Sequence, residues 1–287
     1  MGQAPVNLLI IGFGYSASAF AREFRAECTR LSVTARSTEK VARLAAEGWE
    51  ALAFDGEVLS PALLGCAAQT THLVVSAPPG TAGDPVLRSA LLDAMPALQR
   101  VLYLSTVGVY GDHHGAWVDE ETPLRPVSAR SIERVEAEEN WRNEAQARRL
   151  DLGIFRLSGI YGPGRSAIDN LRTGTARRII KPGQVFNRIH VADIAGALAA
   201  AMRHAGTLGV FNLTDDEPAP PEDVVEFAAN LLGLPVPPGI SFEEAQLSEM
   251  GRSFYGEVKR VSNAKIKRVL GYAFRCPTYR EGLAASM

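Results

Sequence analysis

Val6-Asn7-Leu8-Leu9-Ile10-Ile11 runs directly into Gly12-Phe13-Gly14-Tyr15-Ser16-Ala17, and the fold is read outward from that junction. The first segment is short, apolar and rich in branched side chains, the composition of a strand buried on both faces of a sheet. The second reads G-x-G-x-x-A and opens a stretch of helical periodicity, Ser16–Cys28. In such a strand-to-helix turn Gly12 permits the tight bend, and Gly14 lets the backbone approach a pyrophosphate. Ala17 is small enough for the helix to lie close on the strand. Tyr15 and Ser16 belong to the first helical turn, whose N–H groups and positive dipole end face the phosphates. Glycines also mark ordinary turns, so the weight of the fingerprint comes from its place at a first strand–helix junction.

The alternation continues down the chain. Short β-branched runs at Leu31–Ala35, His72–Ser76, Val101–Ser105 and Gly153–Leu157 alternate with helical stretches at Thr38–Glu47, Pro85–Leu98 and Val127–Arg149. That rhythm predicts βαβ units and an α/β fold, a Rossmann-type doubly wound parallel sheet. After Tyr161 the rhythm breaks at the turn clusters Gly162-Pro163-Gly164 and Lys181-Pro182-Gly183. A strand at Gly209–Thr214 is predicted there, with helices at Val191–Arg203, Pro221–Leu232 and Asn263–Leu270. Pro221 suits a first helical turn and Gly233 a helix C-terminus. Residues 1–165 are expected to form the dinucleotide-binding domain, with 186–215 returning to it. Residues 166–287 are expected to form a smaller C-terminal substrate lobe over the carboxyl edge of the sheet, where ligands of open α/β sheets bind.

Composition narrows the partners. The 287 residues are 46% hydrophobic and 22% charged, which excludes a disordered or fibrous chain. A net charge of -2, with no block of like charge at either end, gives nucleic acid or an anionic membrane no electrostatic hold. Cys28, Cys66 and Cys276 are odd in number and widely spaced, which fits a reducing compartment better than a disulfide framework or a metal site. The apolar run Leu8–Phe20 has no basic residue before it and is interrupted by Gly12, Gly14, Ser16 and Ser18, unlike a signal peptide. Met1-Gly2 lacks the hydroxyl residue at position 6 that an acyl anchor requires. No stretch has the length of a membrane span. The expectation is a cytoplasmic protein acting on a small-molecule substrate, with no nucleic-acid or membrane partner.

The second strand ends at Ala35-Arg36-Ser37, where an NAD-binding chain carries Asp or Glu for the ribose hydroxyls. Arg36 presents a planar fork of donors suited to a phosphate, and Ser37 adds a hydroxyl, so NADP is preferred over NAD. The plain alternative is a solvated Arg at a strand end. Asp55, after Ala51–Phe54, is placed to accept from an adenine amino group, although Asp-Gly is also a turn signal. Ser76-Ala77-Pro78 closes the next strand and is expected to line the cofactor cleft with backbone.

Together with several later segments, these residues resemble the extended and atypical short-chain dehydrogenase/reductases, the NAD(P)-dependent epimerases and dehydratases, nearly end to end. Leu104-Ser105-Thr106-Val107-Gly108-Val109-Tyr110-Gly111 is similar to the strand carrying that family's active-site hydroxyl, and Asp119–Pro126 follows in family order. Tyr161-Gly162-Pro163-Gly164, Asn187-Arg188-Ile189-His190-Val191-Ala192-Asp193, Val210–Thr214 and Arg260–Asn263 match further segments. The resemblance implies that Thr106 orients a substrate oxygen near the nicotinamide; a strand-end Thr bonding its own backbone is the alternative. It also implies a homodimer formed through two helices of the sheet domain.

One departure bears on the chemistry. The family's Tyr-x-x-x-Lys falls on Arg130 and Arg134, ahead of Glu138, and no Tyr occurs between Tyr110 and Tyr161. In the family the Tyr is the general acid/base, and the Lys lowers its pKa and bonds the ribose. Arginine stays protonated, so Arg130 cannot move the proton directly. Arg130 can still hold an anionic substrate or developing oxyanion, and Arg134 the ribose. Both read equally well as surface charges on a helix that also holds Glu133, Glu136, Glu138 and Glu139.

Other residues read more plainly. His113-His114 has no partner at ligand spacing and is taken as loop, His190 with Asp193 as hydrogen bonding at a helix start, and Tyr110 and Tyr161 as core. Two functions follow: an NADP(H)-dependent oxidoreductase or epimerase/dehydratase-like enzyme acting on a small carbonyl, alcohol or sugar-type substrate, or a non-catalytic NADP(H) sensor or regulatory protein.

Overall fold

Leu8, Leu9, Ile10 and Ile11 are buried on both faces, so the first strand must lie inside a sheet covered on both sides. The computed structural model describes residues 5–287, which leaves Met1-Gly2 outside the described residues. In chain order the elements begin with β1 (Asn7–Ile11), α1 (Tyr15–Phe24), β2 (Arg30–Ala35), α2 (Thr38–Ala46), β3 (Glu50–Ala53), α3 (Pro61–Ala67), β4 (His72–Val75) and β5 (Arg100–Thr106). They continue with β6 (Trp117–Val118), α4 (Ala129–Arg148), β7 (Asp151–Leu157), β8 (Gly159–Tyr161), α5 (Ala167–Arg172), β9 (Arg178–Ile180), β10 (Arg188–His190) and α6 (Val191–Arg203). The last are β11 (Val210–Leu213), α7 (Pro221–Leu232), β12 (Gly239–Ser241), α8 (Glu249–Phe254), β13 (Arg260–Val261), α9 (Ala264–Leu270) and α10 (Tyr279–Ala284).

The seven-stranded parallel sheet has the order β11-β7-β5-β4-β1-β2-β3. Strand order therefore reverses at β1, which pairs in parallel with β2 on one side and β4 on the other. The crevice outside the carboxyl ends of β1 and β4 is the switch point at which such sheets bind ligands. Gly12 follows β1, and Ser76 follows β4.

The chain divides into two compact units. The first takes the chain up to Thr106 together with Ala129–Arg156 and Ala195–Val210. Its core joins Leu9, Leu63, Leu73, Val101, Tyr103, Trp141 and Ile154. The second comprises Val107–Ser128, Leu157–Ile194 and Phe211–Met287. It pairs β8 with β10, β9 with β12 and β6 with β13, each in parallel. There Tyr161, Ile168, Val224, Ala228, Tyr279 and Leu283 form a cluster, and Pro221 opens α7, which closes on Gly233 in the left-handed conformation.

One predicted element is absent. Pro85–Leu98 does not form an α-helix; it is a run of turns with a short 3-10 segment at Leu92–Ala94. The buried Asp84 carboxylate accepts from the N–H groups of Val86 and Leu87 at 2.9 and 3.3 Å, which holds a local turn, and Pro96 blocks continuation of a helix beyond it. Val86, Leu91, Leu92 and Met95 are still buried, so the apolar spacing recorded burial rather than helix.

Candidate functional site

The floor of the switch-point crevice is built from backbone. Gly12 has φ +86°, and a Cβ there would lie 2.8 Å from the Ala77 nitrogen, so glycine is required by conformation and by close approach alike. The Gly12 N–H donates to Thr34 Oγ1 at 3.0 Å, and those of Ser76 and Ala77 both donate to the Ile11 carbonyl at 2.9 and 3.0 Å. The turn is thus locked to β2 and to the end of β4. Gly14, the N-cap of α1, has φ -103°, open to any residue, and a Cβ there would meet nothing within 4 Å. The fold leaves that space clear, and it fits the pyrophosphate that the glycine fingerprint implies.

Around this turn lies a cavity of about 600 Å³, lined by Gly12, Phe13, Gly14, Arg36, Ser37, Lys40, Asp55, Ser76, Ala77 and Pro78 among others. Tyr15, Ser16 and Ala17 are outside its lining; Ser16 and Ala17 are buried beneath the first turn of α1. Arg36 is exposed at the rim, and Ser37 caps α2 by accepting from the Lys40 N–H at 3.3 Å. Asp55 Oδ1 accepts from the N–H groups of Glu57 and Val58 at 2.9 and 3.1 Å, so Asp55 closes a turn, and it also lines the cavity. Those N–H groups, Val58 first and then Glu57, hold its carboxyl below the usual carboxylate range.

Lys40 is the residue that sequence reading missed. Its ammonium donates to the Phe13 carbonyl at 2.7 Å, bringing a second cation beside Arg36. The available signal was its place one turn into a helix capped by Ser37, since side chains on a helix lean toward its N-terminus.

Thr106 ends β5, half-buried, and neither it nor Arg130 nor Arg134 lines the 600 Å³ cavity. Arg130, Arg134, Glu138 and Arg142 recur at four-residue spacing on one face of α4. Arg130 is exposed. Arg134 is not a solvated surface charge: Nη1 donates to the Leu104 carbonyl at 2.7 Å and the Tyr103 hydroxyl at 3.1 Å. Below it Glu138 is fully buried, accepting from Ser105 Oγ at 2.6 Å, from Arg156 at 3.1 and 2.8 Å, and from Arg142 at 2.9 Å. The charges are satisfied by good geometry, which a buried carboxylate requires, and they tie α4 to the strand end that carries Thr106.

Neither tyrosine weighed as a substitute acid is poised for proton transfer. Tyr110 is buried and donates to Asn212 Oδ1 at 2.7 Å. Tyr161 packs against Gly282, and burial pushes its phenol well above the ordinary range. His114 pairs with Asp112 at 2.8 Å, and His113 Nε2 lies 3.1 Å from the Tyr110 carbonyl, both loop contacts. His190, Asp193 and Cys276 offer ligand atoms within 4.8 Å of one another. Asp193, however, already accepts from the Tyr272 hydroxyl at 2.8 Å and from the Arg275 and Cys276 N–H groups at 2.7 and 3.0 Å. His190 Nδ1 accepts from the Ala192 N–H at 3.3 Å at the start of α6. This cluster is accounted for by helix-start and loop bonding.

The second unit holds a separate cavity of about 420 Å³, lined by Tyr161, Arg165, Ser166, Arg188, Val224 and Tyr279 among others. Arg188 Nη1 donates to the Phe186 and Ala219 carbonyls at 3.0 and 3.1 Å. Among the described residues no helix is long and apolar enough to cross a membrane.

Comparison with known proteins places this architecture. The sequence model of the NAD dependent epimerase/dehydratase family matches residues 80–214. The solved structure of a conserved protein of unknown function from Silicibacter pomeroyi is 48% identical over 97% of both chains, with a TM-score of 0.87. A 3-diazoavenalumate denitrifying reductase from a Streptomyces species is 30% identical over 141 residues, 45% of each chain, so the match spans less than half the length of that relative. The dTDP-glucose 4,6-dehydratase of Bacillus anthracis, solved with NAD, has a TM-score of 0.74 at 18% identity over 98% of this chain and 95% of that one, a likeness of fold.

Proposed function

We propose that the chain, whose residues 80–214 match the NAD dependent epimerase/dehydratase family model, is a member of that family and an NADP(H)-dependent oxidoreductase acting on a small carbonyl, alcohol or sugar-type substrate. The observation that carries the cofactor half is the cavity at the switch point, open above Gly14 and flanked by Arg36, Ser37 and Lys40 where an NAD-selective site places a carboxylate. When bound, the dinucleotide supplies or takes up a hydride at its nicotinamide ring.

The chain's own residues do the rest. The Gly12–Gly14 backbone and the start of α1 hold the pyrophosphate, and Arg36 with Ser37 holds the 2′-phosphate. The Thr106 hydroxyl orients the substrate oxygen. Arg130 and Arg134 remain cationic, so they steady negative charge, and the proton reaches the substrate oxygen from water or another acid. The 420 Å³ cavity of the second unit, with Arg188 in its wall, suits an anionic small molecule.

Purified protein is expected to oxidise NADPH with a member of a carbonyl panel, and Thr106→Val to abolish that turnover. Arg36→Asp is expected to weaken NADPH selectively; equal loss for NADH and NADPH sinks the phosphate assignment. A second reading, a non-catalytic NADP(H) sensor, is favoured by the arginines at both positions of the proton-transfer pair. A sensor needs unequal affinity for NADP+ and NADPH. Strong preference for one form, with no turnover across a broad panel in both directions, selects it.

A further inference from the structure

Lys40 sits where the glycine turn and the second strand end meet. It is half-buried in the cavity wall, with the Phe13 carbonyl 2.7 Å from its ammonium. Phe13 is the residue between the two glycines, itself buried and held by its N–H to the Thr34 carbonyl at 3.0 Å. Among the described residues Lys40 has no carboxylate partner, although an ammonium carries three donors and the carbonyl uses one. The cavity lining holds Arg36, Lys40 and Arg88 against a single carboxylate, Asp55. One oxygen of that carboxylate is taken by its own turn. The corner is therefore cationic, and its most enclosed charge is Lys40 rather than the exposed Arg36.

We propose that Lys40 is the residue that couples recognition of the 2′-phosphate to the glycine turn. One N–H stays on the Phe13 carbonyl, and the other two face the 2′-phosphate beside Arg36. The inference rests on the NADP reading of this site and deepens it. An ammonium already fixed by a backbone carbonyl loses little side-chain freedom on meeting the anion, and it forms charge-assisted bonds in a partly dehydrated corner. Arg36, exposed at the rim, supplies a planar fork but must be ordered first. The two cations thus discriminate by different means, and removal of either should lower selectivity.

The test uses fragments without a nicotinamide, so catalytic activity is not needed. 2′,5′-ADP and 5′-ADP are titrated calorimetrically into the full chain, its Arg36→Ala variant and two Lys40 variants. Lys40→Gln keeps an N–H donor for the Phe13 carbonyl and removes the charge; Lys40→Met removes both. Lys40→Gln is expected to weaken 2′,5′-ADP about tenfold, the scale of one charge-assisted bond, while 5′-ADP affinity holds. Lys40→Met should lose the same selectivity and also weaken 5′-ADP. Equal weakening of both fragments by Lys40→Gln makes Lys40 a pin for the turn alone and overturns the proposal. So does a selectivity lost in Arg36→Ala but kept in both Lys40 variants; in these two cases the NADP reading stands. If the unaltered chain binds both fragments equally, the NADP reading itself fails, and the proposal with it.

Discussion

Alanine at Gly14 and alanine at Gly12 should separate what the glycine turn does for a ligand from what it does for the fold. At Gly14 the backbone is extended and the added methyl meets nothing within 4 Å. Reduced freedom of the unfolded chain gains a few tenths of a kcal/mol and the weaker N-cap loses about as much, so stability should stay within about 1 kcal/mol of the parent. At Gly12 the same change forces φ +86° on a residue with a side chain, a cost of about 1–3 kcal/mol. It also drives the methyl to 2.8 Å from the Ala77 nitrogen, which is tied to the Ile11 carbonyl at 3.0 Å and cannot easily retreat. A loss of about 3 kcal/mol or more is expected there. Binding should order the two variants the other way. The Gly14→Ala methyl occupies the space assigned to the pyrophosphate and should weaken NADPH by at least about tenfold, roughly 1.4 kcal/mol, in a protein that unfolds normally. Urea unfolding and calorimetric titration read the two quantities independently. A Gly14→Ala protein that binds NADPH like the parent would refute the placement of the dinucleotide over this turn. One as unstable as Gly12→Ala would make the second glycine structural.

Further expectations follow from the buried charges and thiols. Glu138→Ala strands Arg156 without its carboxylate, and urea unfolding should show a loss of about 3–5 kcal/mol. Burial pushes the Asp215 carboxyl up to about 8, with Arg188 opposing and Asp216 and Glu217 adding repulsion. The folded state therefore holds a proton that the unfolded chain releases near pH 4, and stability should fall as pH rises from about 4 to about 8. Asp215→Asn should flatten that part of a pH–Tm profile, and an unchanged slope would remove Asp215 from the account. Burial raises the thiols of Cys28 and Cys276 to about 11, so iodoacetamide at neutral pH should modify both slowly in the folded protein, as followed by mass spectrometry.

The sheet and its switch point were legible because parallel strands covered on both faces leave uninterrupted apolar runs, as in Leu8–Ile11 and Leu73–Val75. Long helices with a clear buried stripe were legible too, α6 and α7 with the same bounds as read. Pro85–Leu98 misled because turns held by Asp84 bury the same apolar residues as a helix would. The short pairs of the second unit, such as β9 with β12, are three residues each and carry too little pattern to read. At the switch-point cavity the glycines, Arg36 and Asp55 could be read as lining because backbone motifs fix them locally. Lys40 could not, because its contact with Phe13 spans 27 residues and depends on the packing of β1 against β2.

The two halves of the proposed chemistry, cofactor capture and proton transfer, rest on different kinds of structure for a physical reason. In the proposed reading, cofactor capture draws on backbone N–H groups, space left by missing side chains, and a cation at a strand end, all within elements that the sheet fixes. Proton transfer needs one side chain whose pKa approaches the working pH, and α4 offers guanidinium groups at both relevant positions. Arg134 is bound to the carbonyl and hydroxyl of β5, and Glu138 locks the next turn to Ser105 and Arg156. The α4 face is therefore organised around the buried Glu138 carboxylate, with arginines at the positions where the resemblance expects Tyr and Lys. Arg134→Lys keeps the charge but gives up the guanidinium that lies over the Tyr103 ring while its Nη1 reaches the Tyr103 hydroxyl and the Leu104 carbonyl. It should cost stability while leaving 2′,5′-ADP binding intact. If it instead abolishes binding of that fragment, α4 reaches the switch-point cavity, and capture and proton transfer are not separate.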